Sequence, residues 1–334
     1  MGAASLEQAA AVPDRIAGSD RWLTSVAVSQ RMFPGPEGVH TVFLANGEAY
    51  PDALVAGAPG AAYGYPILLT ERDAIPGPVQ TELDRLDPAT IIIVGGPAAV
   101  STELEEQARR NWGAVTRLGG ANRFATAALV SKWAFNEELP AAFLASGADF
   151  PDALAGGVAG ARADGPVLLT RPDELSPEAA AHLADLRPER IVVLGGPTAV
   201  SEAVLTAAAR IAPVTRLAGS DRFATSAAIS EATFADASTV FVANGTTFPD
   251  ALAGTPLAAA SGAPILLVTQ SAVSPSVCAE LGRLSPDRVV ALGGSAAVSD
   301  AALALASGCA GPLTPLPKPG PTETIGPPPV TAGG

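Results

Sequence analysis

Three aspartates stand in one recurring setting: Tyr50-Pro51-Asp52-Ala53-Leu54, Phe150-Pro151-Asp152-Ala153-Leu154 and Phe248-Pro249-Asp250-Ala251-Leu252, about one hundred residues apart. A small polar residue precedes each of them, Asn46, Ser146 or Asn244, and an arginine, Arg21, Arg123 or Arg222, lies about thirty residues upstream. A carboxylate, an amide or hydroxyl and a guanidinium gathered at one edge can hold a polar ligand, the guanidinium fork suiting phosphate or carboxylate groups. The competing reading is structural: the aspartate begins a helix, and the arginine bridges copies or pairs with that aspartate. Glycosidase chemistry needs two carboxylates in one cleft. Each copy offers one at this position, so that chemistry requires clefts between copies.

Other reactive sets are poorly supported. The two histidines, His40 and His182, fall at non-equivalent places without a Ser or Cys motif beside them, so no activated nucleophile is expected. Histidine and cysteine lack metal-ligand spacing, and no metal site is expected. Gly95-Gly96, Gly195-Gly196 and Gly293-Gly294 follow apolar runs. No G-x-G-x-x-G with a following acid and no G-x-x-x-x-G-K-[ST] occurs, so they read as tight turns and no cofactor is expected.

The elements that must position these residues also recur. RIAGSDRWLTS from Arg15, RLGGANRFATA from Arg117 and RLAGSDRFATS from Arg216 each read as a strand end, a turn at Gly18, Gly119 or Gly219, and a helix capped by Ser19 or Asp20, Asn122, Ser220 or Asp221. TVFLANG, AAFLASG and TVFVANG are apolar at consecutive positions, as strands covered on both faces are. Pro-Asp then opens a small-surfaced helix, with the acid facing the positive end of the helix dipole. Pro59 and Pro256 should kink or split that helix in the first and third copies. PILLT, PVLLT and PILLVT are further buried strands, and a capped helix, a strand, the Gly-Gly turn and a last helix complete each copy. Such alternation predicts an α/β fold of three tandem Rossmann-like or flavodoxin-like α/β/α repeats with parallel sheets.

Composition narrows the function. The chain has 334 residues, 48% hydrophobic, with a net charge of −13. That charge lacks the basic footprint of nucleic-acid binding, and no nucleic-acid partner is expected. A mean hydropathy of +0.30 invites a membrane reading. Pro256, Gly262, Pro264, Gln270 and Pro275 interrupt the longest uncharged run, so no membrane insertion is expected. Cys278 and Cys309 could form a bridge or remain two thiols. The start lacks a basic segment followed by an apolar core, so no signal peptide is visible. GPLTPL from Gly311 matches APVTRL from Ala212 with Pro315 in place of the arginine, and a Pro/Gly-rich stretch follows. That stretch reads as a linker, with a fused C-terminal domain as one expectation.

Taken together, R[LI]xGxxR[FW]xT, [FV][LV]A[NS]GxxxPDAL, P[IV]LL and [VA][VL]GGxxAVS resemble the cell wall-binding repeat type 2 family of Gram-positive surface proteins, over about residues 14 to 316. The resemblance implies three repeats in a pseudo-threefold triangle and a secreted protein at the cell wall or surface. It further implies non-covalent anchoring of an attached effector, with no catalysis, through an anionic secondary polymer or peptidoglycan. The implied divisions are a lead at 1–13, repeats at 14–115, 116–214 and 215–316, and a linker at 317–334. The PILL segments at 66–69, 166–169 and 264–267 are apolar and read as structural. Two alternatives stay open, a wall-glycan-modifying enzyme with a cleft between repeats and a structural surface-layer component.

Overall fold

The computed structural model describes residues 11–35 and 39–311; the expected lead before Ala11 and the linker lie outside them. The first stretch contributes β1 (Val12–Ile16), α1 (Arg21–Met32), β2 (Thr41–Asn46), α2 (Tyr50–Ala53), α3 (Gly57–Tyr63), β3 (Ile67–Thr70), α4 (Gly77–Leu86), β4 (Thr90–Val94) and α5 (Thr102–Trp112). The second contributes β5 (Ala114–Leu118), α6 (Arg123–Ala134), β6 (Ala142–Ser146), α7 (Pro151–Arg162), β7 (Val167–Thr170), α8 (Pro177–Leu186), β8 (Ile191–Leu194) and α9 (Glu202–Ala208). The third contributes β9 (Val214–Leu217), α10 (Arg222–Thr233), β10 (Thr239–Asn244), α11 (Pro249–Ala260), β11 (Ile265–Val268), α12 (Pro275–Leu284), β12 (Arg288–Leu292) and α13 (Asp300–Cys309).

These strands form three parallel four-stranded sheets, ordered β3-β2-β4-β5, β7-β6-β8-β9 and β1-β12-β10-β11. Their inner strands are buried along their lengths, as the consecutive apolar runs require. The layer is nevertheless not the sequence repeat. In each copy the R[LI]xG strand completes the sheet of the copy before it, and β1 completes the sheet of the third. Val12 to Ile16 pair in register with Arg288 to Leu292, so the first strand closes the three copies into a ring. The segment GPLTPL, which matches the sequence of this strand, lies outside the described residues after Gly311.

An arginine fastens each crossing strand to the preceding copy. Arg117 donates Nη1 to the Gly95 carbonyl at 2.8 Å, Arg216 to Gly195 at 2.6 Å and Arg15 to Gly293 at 2.7 Å. Each also meets an acid: Glu105, Glu202 or Asp300. Gly18, Gly120 and Gly219 make the turns that follow. Their amides donate to the Thr24, Thr126 and Thr225 hydroxyls at 3.1, 3.0 and 3.1 Å. In the second copy the turn residue is therefore Gly120, while Gly119 aligns with Ala17 and Ala218. Asp20, Asn122 and Asp221, rather than the neighbouring serines, cap the next helices.

Helices α3, α7 and α11 pack on one another around a pseudo-threefold axis. Small residues permit this approach: a Cβ on Gly157 would lie 2.9 Å from the Thr255 methyl. Proline acts differently in the two copies that carry it. Pro59 leaves the Val55 carbonyl without its helical donor, and the chain tightens into a 3-10 turn at Leu54–Ala56 between α2 and α3. Helix α11 runs unbroken through Pro256. The apolar core runs through all three copies, from Ala11 to Ala310.

Cys278 on α12 and Cys309 at the end of α13 form a disulfide, with Cα atoms 5.0 Å apart. It closes a loop with a sequence separation of 31. Reduction is expected to lower third-repeat stability by about 3–4 kcal/mol, chiefly through the freed unfolded chain. Thermal melts with and without dithiothreitol check this; coincident curves would refute it.

Candidate functional site

All the sequence candidates lie at the carboxyl ends of the strands, where doubly wound sheets bind ligands. They are not assembled within one copy. Arg222, at the start of α10, acts electrostatically on Asp152 of the preceding copy, and Arg21, at the start of α1, acts on Asp250. In these two pairs the aspartate and its electrostatic partner therefore belong to different copies.

Each aspartate sits in the first turn of its helix, Asp152 and Asp250 without acting as side-chain caps. Its carboxylate lies under the Gly-Gly turn of its own copy. A Cβ on Gly195 would fall 2.2 Å from Asp152 Oδ2, and one on Gly293 would fall 2.3 Å from Asp250 Oδ2. Gly95, Gly195 and Gly293 also have φ of 110°, 98° and 96°, so two independent constraints exclude a side chain there. Across the junction, the Thr24 hydroxyl donates to Asp250 while accepting the Gly18 amide. One oxygen of Asp52, Oδ1, is buried without a hydrogen-bond partner.

The remaining candidates are largely engaged by the backbone. Asn46 Nδ2 donates to the Ala99 carbonyl at 2.6 Å, and its Oδ1 accepts the Glu48 and Ala49 amides. Asn244 bonds the Ala297 carbonyl and the Thr246 amide in the same way. Ser146 accepts the Ala148 amide through its hydroxyl. Arg21, Arg123 and Arg222 each donate Nη1 to the carbonyl of Gly47, Gly147 or Gly245. The arginines thus brace the loop after β2, β6 or β10, and Arg21 and Arg222 also face the preceding copy.

The middle junction differs from the others. Asp149, which aligns with Ala49 and Thr247, adds a second carboxylate and accepts Arg222 Nη2 at 3.1 Å. Asp149 and Arg222 are the residues that a search for recurring positions cannot pair. Burial, reinforced by Asp149 and opposed by Arg222, pushes the Asp152 carboxyl up to about 6. Because the folded protein holds this proton more tightly than an unfolded chain, Asp152 favours folding below about pH 4. That advantage is lost as pH rises through 6. The swing is at most about 3 kcal/mol. Asp152→Asn is therefore expected to melt a few degrees higher than the parent at pH 7.5 and to match it at pH 4. A variant no more stable at pH 7.5 would contradict this placement. Burial raises Asp250 as well, against the Thr24 hydrogen bond and Arg21.

His182 does acquire a serine neighbour, unseen in sequence: its Nε2 lies 2.8 Å from Ser131 Oγ. Ser131 is only 2% exposed, and the equivalent Ser29 and Ser230 bond Glu82 and Glu280 in the same way. The pair is the second copy's version of a tie between helices. Burial holds His182 below its ordinary pKa. Among the described residues no cluster of three or more His, Cys, Asp or Glu side chains could hold a metal ion, and no helix is long and apolar enough to cross a membrane.

Comparison with known proteins agrees with this architecture. The chain is 30% identical over 263 residues to the amidase enhancer of Bacillus subtilis (strain 168), covering 79% of this chain and 36% of that protein. It is 29% identical over 285 residues to N-acetylmuramoyl-L-alanine amidase LytC of the same organism, covering 85% and 56%. Cwp6 from Clostridium difficile superposes with a TM-score of 0.82 at 27% identity, over 90% of this chain and 48% of that one. Cwp8 from the same organism gives 0.81 at 29%, over 89% and 51%. The chain thus spans between about a third and just over half of these relatives. The model of cell wall binding domain 2 matches residues 15–105, 117–205 and 216–303, and by these three matches the chain belongs to that family.

Proposed function

We propose that this chain is a secreted, non-catalytic module that binds the wall of a Gram-positive cell and holds an attached effector or surface protein there without a covalent link. Membership in the cell wall binding domain 2 family carries this reading. The junctions support it, because two of them set an arginine at the start of one copy against an aspartate of the copy before, Arg222 on Asp152 and Arg21 on Asp250. The ligand would be an anionic secondary polymer or peptidoglycan. An acidic chain approaching an anionic polymer is repelled unless positive charge is focused locally, and in this reading Arg21, Arg123 and Arg222 would supply that focus.

Co-sedimentation with purified Gram-positive walls tests the reading. The protein is expected in the pellet, and walls stripped of anionic polymer are expected to retain less of it. Binding should weaken as sodium chloride rises from about 0.05 to about 0.5 M, since exposed charge contacts are screened within a Debye length. Protein left in the supernatant at low salt would end the proposal. Binding indifferent to salt would remove the arginines from it.

A further inference from the structure

At the opposite edge of the ring, at the amino ends of the strands, the three junctions diverge. Between the first and second copies the space is filled by aromatic rings. Tyr63 stacks on Tyr65 at 5.5 Å, Trp133 meets Tyr63 at 5.9 Å and Phe43 at 5.7 Å, and the Tyr63 hydroxyl donates to the Ala134 carbonyl. Between the third and first copies it is bridged by charge, with Asp14 paired to both Arg31, at 3.7 Å, and Arg288.

The junction between the second and third copies has neither filling. Ala163 and Ala232 stand where the first junction has Tyr63 and Trp133, and Gly165 stands where it has Tyr65. A cavity of about 380 Å³ results, floored by Phe143, Val192 and Leu217. Arg162 and Arg190 line it. Arg190 aligns with Arg288, but Thr215 replaces its counterion Asp14. Arg162 aligns with Ala62 and Ala260, so it occurs at this junction alone. Its guanidinium lies 4.9 Å from the centre of the Phe234 ring, which holds it at the rim. Among the described residues neither arginine has an acidic partner, in a chain with 33 acidic and 20 basic residues. The same fold closes this space twice by different means, so the fold itself does not require the opening.

We infer that this cavity is a binding site for a sugar unit carrying one carboxylate or phosphate. The anionic group would take the place beside Arg190 that Asp14 takes beside Arg288, with Arg162 closing on it from the rim. The ring would occupy the space that Tyr63 and Trp133 fill elsewhere, with the Thr215 and Thr233 hydroxyls beside it. The volume suits one or two sugar rings. The choice of a sugar rests on the wall-binding reading; the site and its charge preference do not.

Titration of the full chain with glucuronate, glucose 1-phosphate and neutral glucose, followed by calorimetry or NMR, tests the site. The two anions are expected to bind saturably at about millimolar concentration, and glucose at least about tenfold more weakly. Arg190→Ala should weaken the anions by about tenfold or more. Ala232→Trp, which installs the residue the first junction already bears, should abolish binding with the melting temperature preserved. The inference is overturned by no saturation with either anion at about 50 mM, or by undiminished binding in Ala232→Trp. Wall co-sedimentation then separates the sources. Ala232→Trp losing both probe and wall binding identifies a wall-borne unit, while loss of probe binding alone identifies a free small molecule. Failure of the parent chain to sediment with walls would refute wall anchoring and leave the cavity result standing.

Discussion

Deletion of residues 1–17 is expected to cost about 5 kcal/mol or more, a loss comparable to the whole stability of an ordinary domain. The deletion strips β12 of its five-residue partner and exposes a row of backbone donors and acceptors on that edge. It also removes Ile16, 8% exposed in the core, and the Arg15 bonds to Gly293 and Asp300. Backbone bonds at about 1 kcal/mol each, one buried isoleucine at about 1.5–3 and the charged clasp together reach that figure. Denaturant unfolding followed by circular dichroism measures it. Replacing Gly311-Pro312-Leu313-Thr314-Pro315-Leu316 in the truncated chain by the sequence Ala-Val-Pro-Asp-Arg-Ile should restore stability, because the ring needs a strand with an arginine there and not a particular chain end. A truncated chain as stable as the parent, or one that the transplanted strand fails to rescue, would contradict closure by β1.

Arg85→Ala is expected to destabilise the first copy by about 3 kcal/mol, although Arg85 itself is partly exposed. The loss falls on Glu82, 1% exposed, which accepts Arg85 Nε at 2.8 Å and Nη2 at 2.6 Å as well as the Ser29 hydroxyl. Without the guanidinium a buried carboxylate keeps only the neutral donors of Ser29 and Gln30. Adding Glu82→Gln should recover most of the stability by removing the stranded charge. If the double variant recovers nothing, the loss comes instead from the Arg85 bond to the Gly35 carbonyl. The third copy repeats the arrangement with Glu280 and Arg283, whereas the second substitutes His182.

Much of the architecture was legible because repetition makes the sequence its own control. Three recurrences of Pro-Asp and of Gly-Gly located the strand ends, and the structure supplies the reason they recur together: the aspartate carboxylate occupies the space a side chain on the first glycine would take. The phase of the repeat was not legible. Copies in a closed ring have no natural starting point, and the R[LI]xG strand reads as the opening of its own copy although its hydrogen bonds belong to the copy before. Two Cys residues could not announce their pairing for a similar reason, since the approach of α12 to α13 depends on how the third sheet is completed.

Among the site candidates, sequence placed Asp52, Asp152 and Asp250 at the carboxyl edge but left open whether each arginine pairs with the aspartate of its own copy or bridges copies. The electrostatic partners lie across the junctions, Asp152 facing Arg222 and Asp250 facing Arg21. Positions that do not recur escaped notice altogether. Asp149 aligns with an alanine and a threonine, and Ala163 and Ala232 become informative only when set against the rings that replace them. A search for what is shared among copies passes over what distinguishes them.

Closure by β1 also determines how the ring would carry mechanical load. The first described element, β1, lies in the third sheet and the last, α13, packs against that sheet's β12 and β1, so tension applied at either flank enters the same layer. Pulling along β1 shears its parallel ladder against β12, loading the bonds together rather than one after another. Pulling at the far flank reaches Cys309, where the disulfide passes force directly into α12 before α13 can unravel. For tension between the two flanks the first two sheets stay outside the line of force, and the third alone bears the strain.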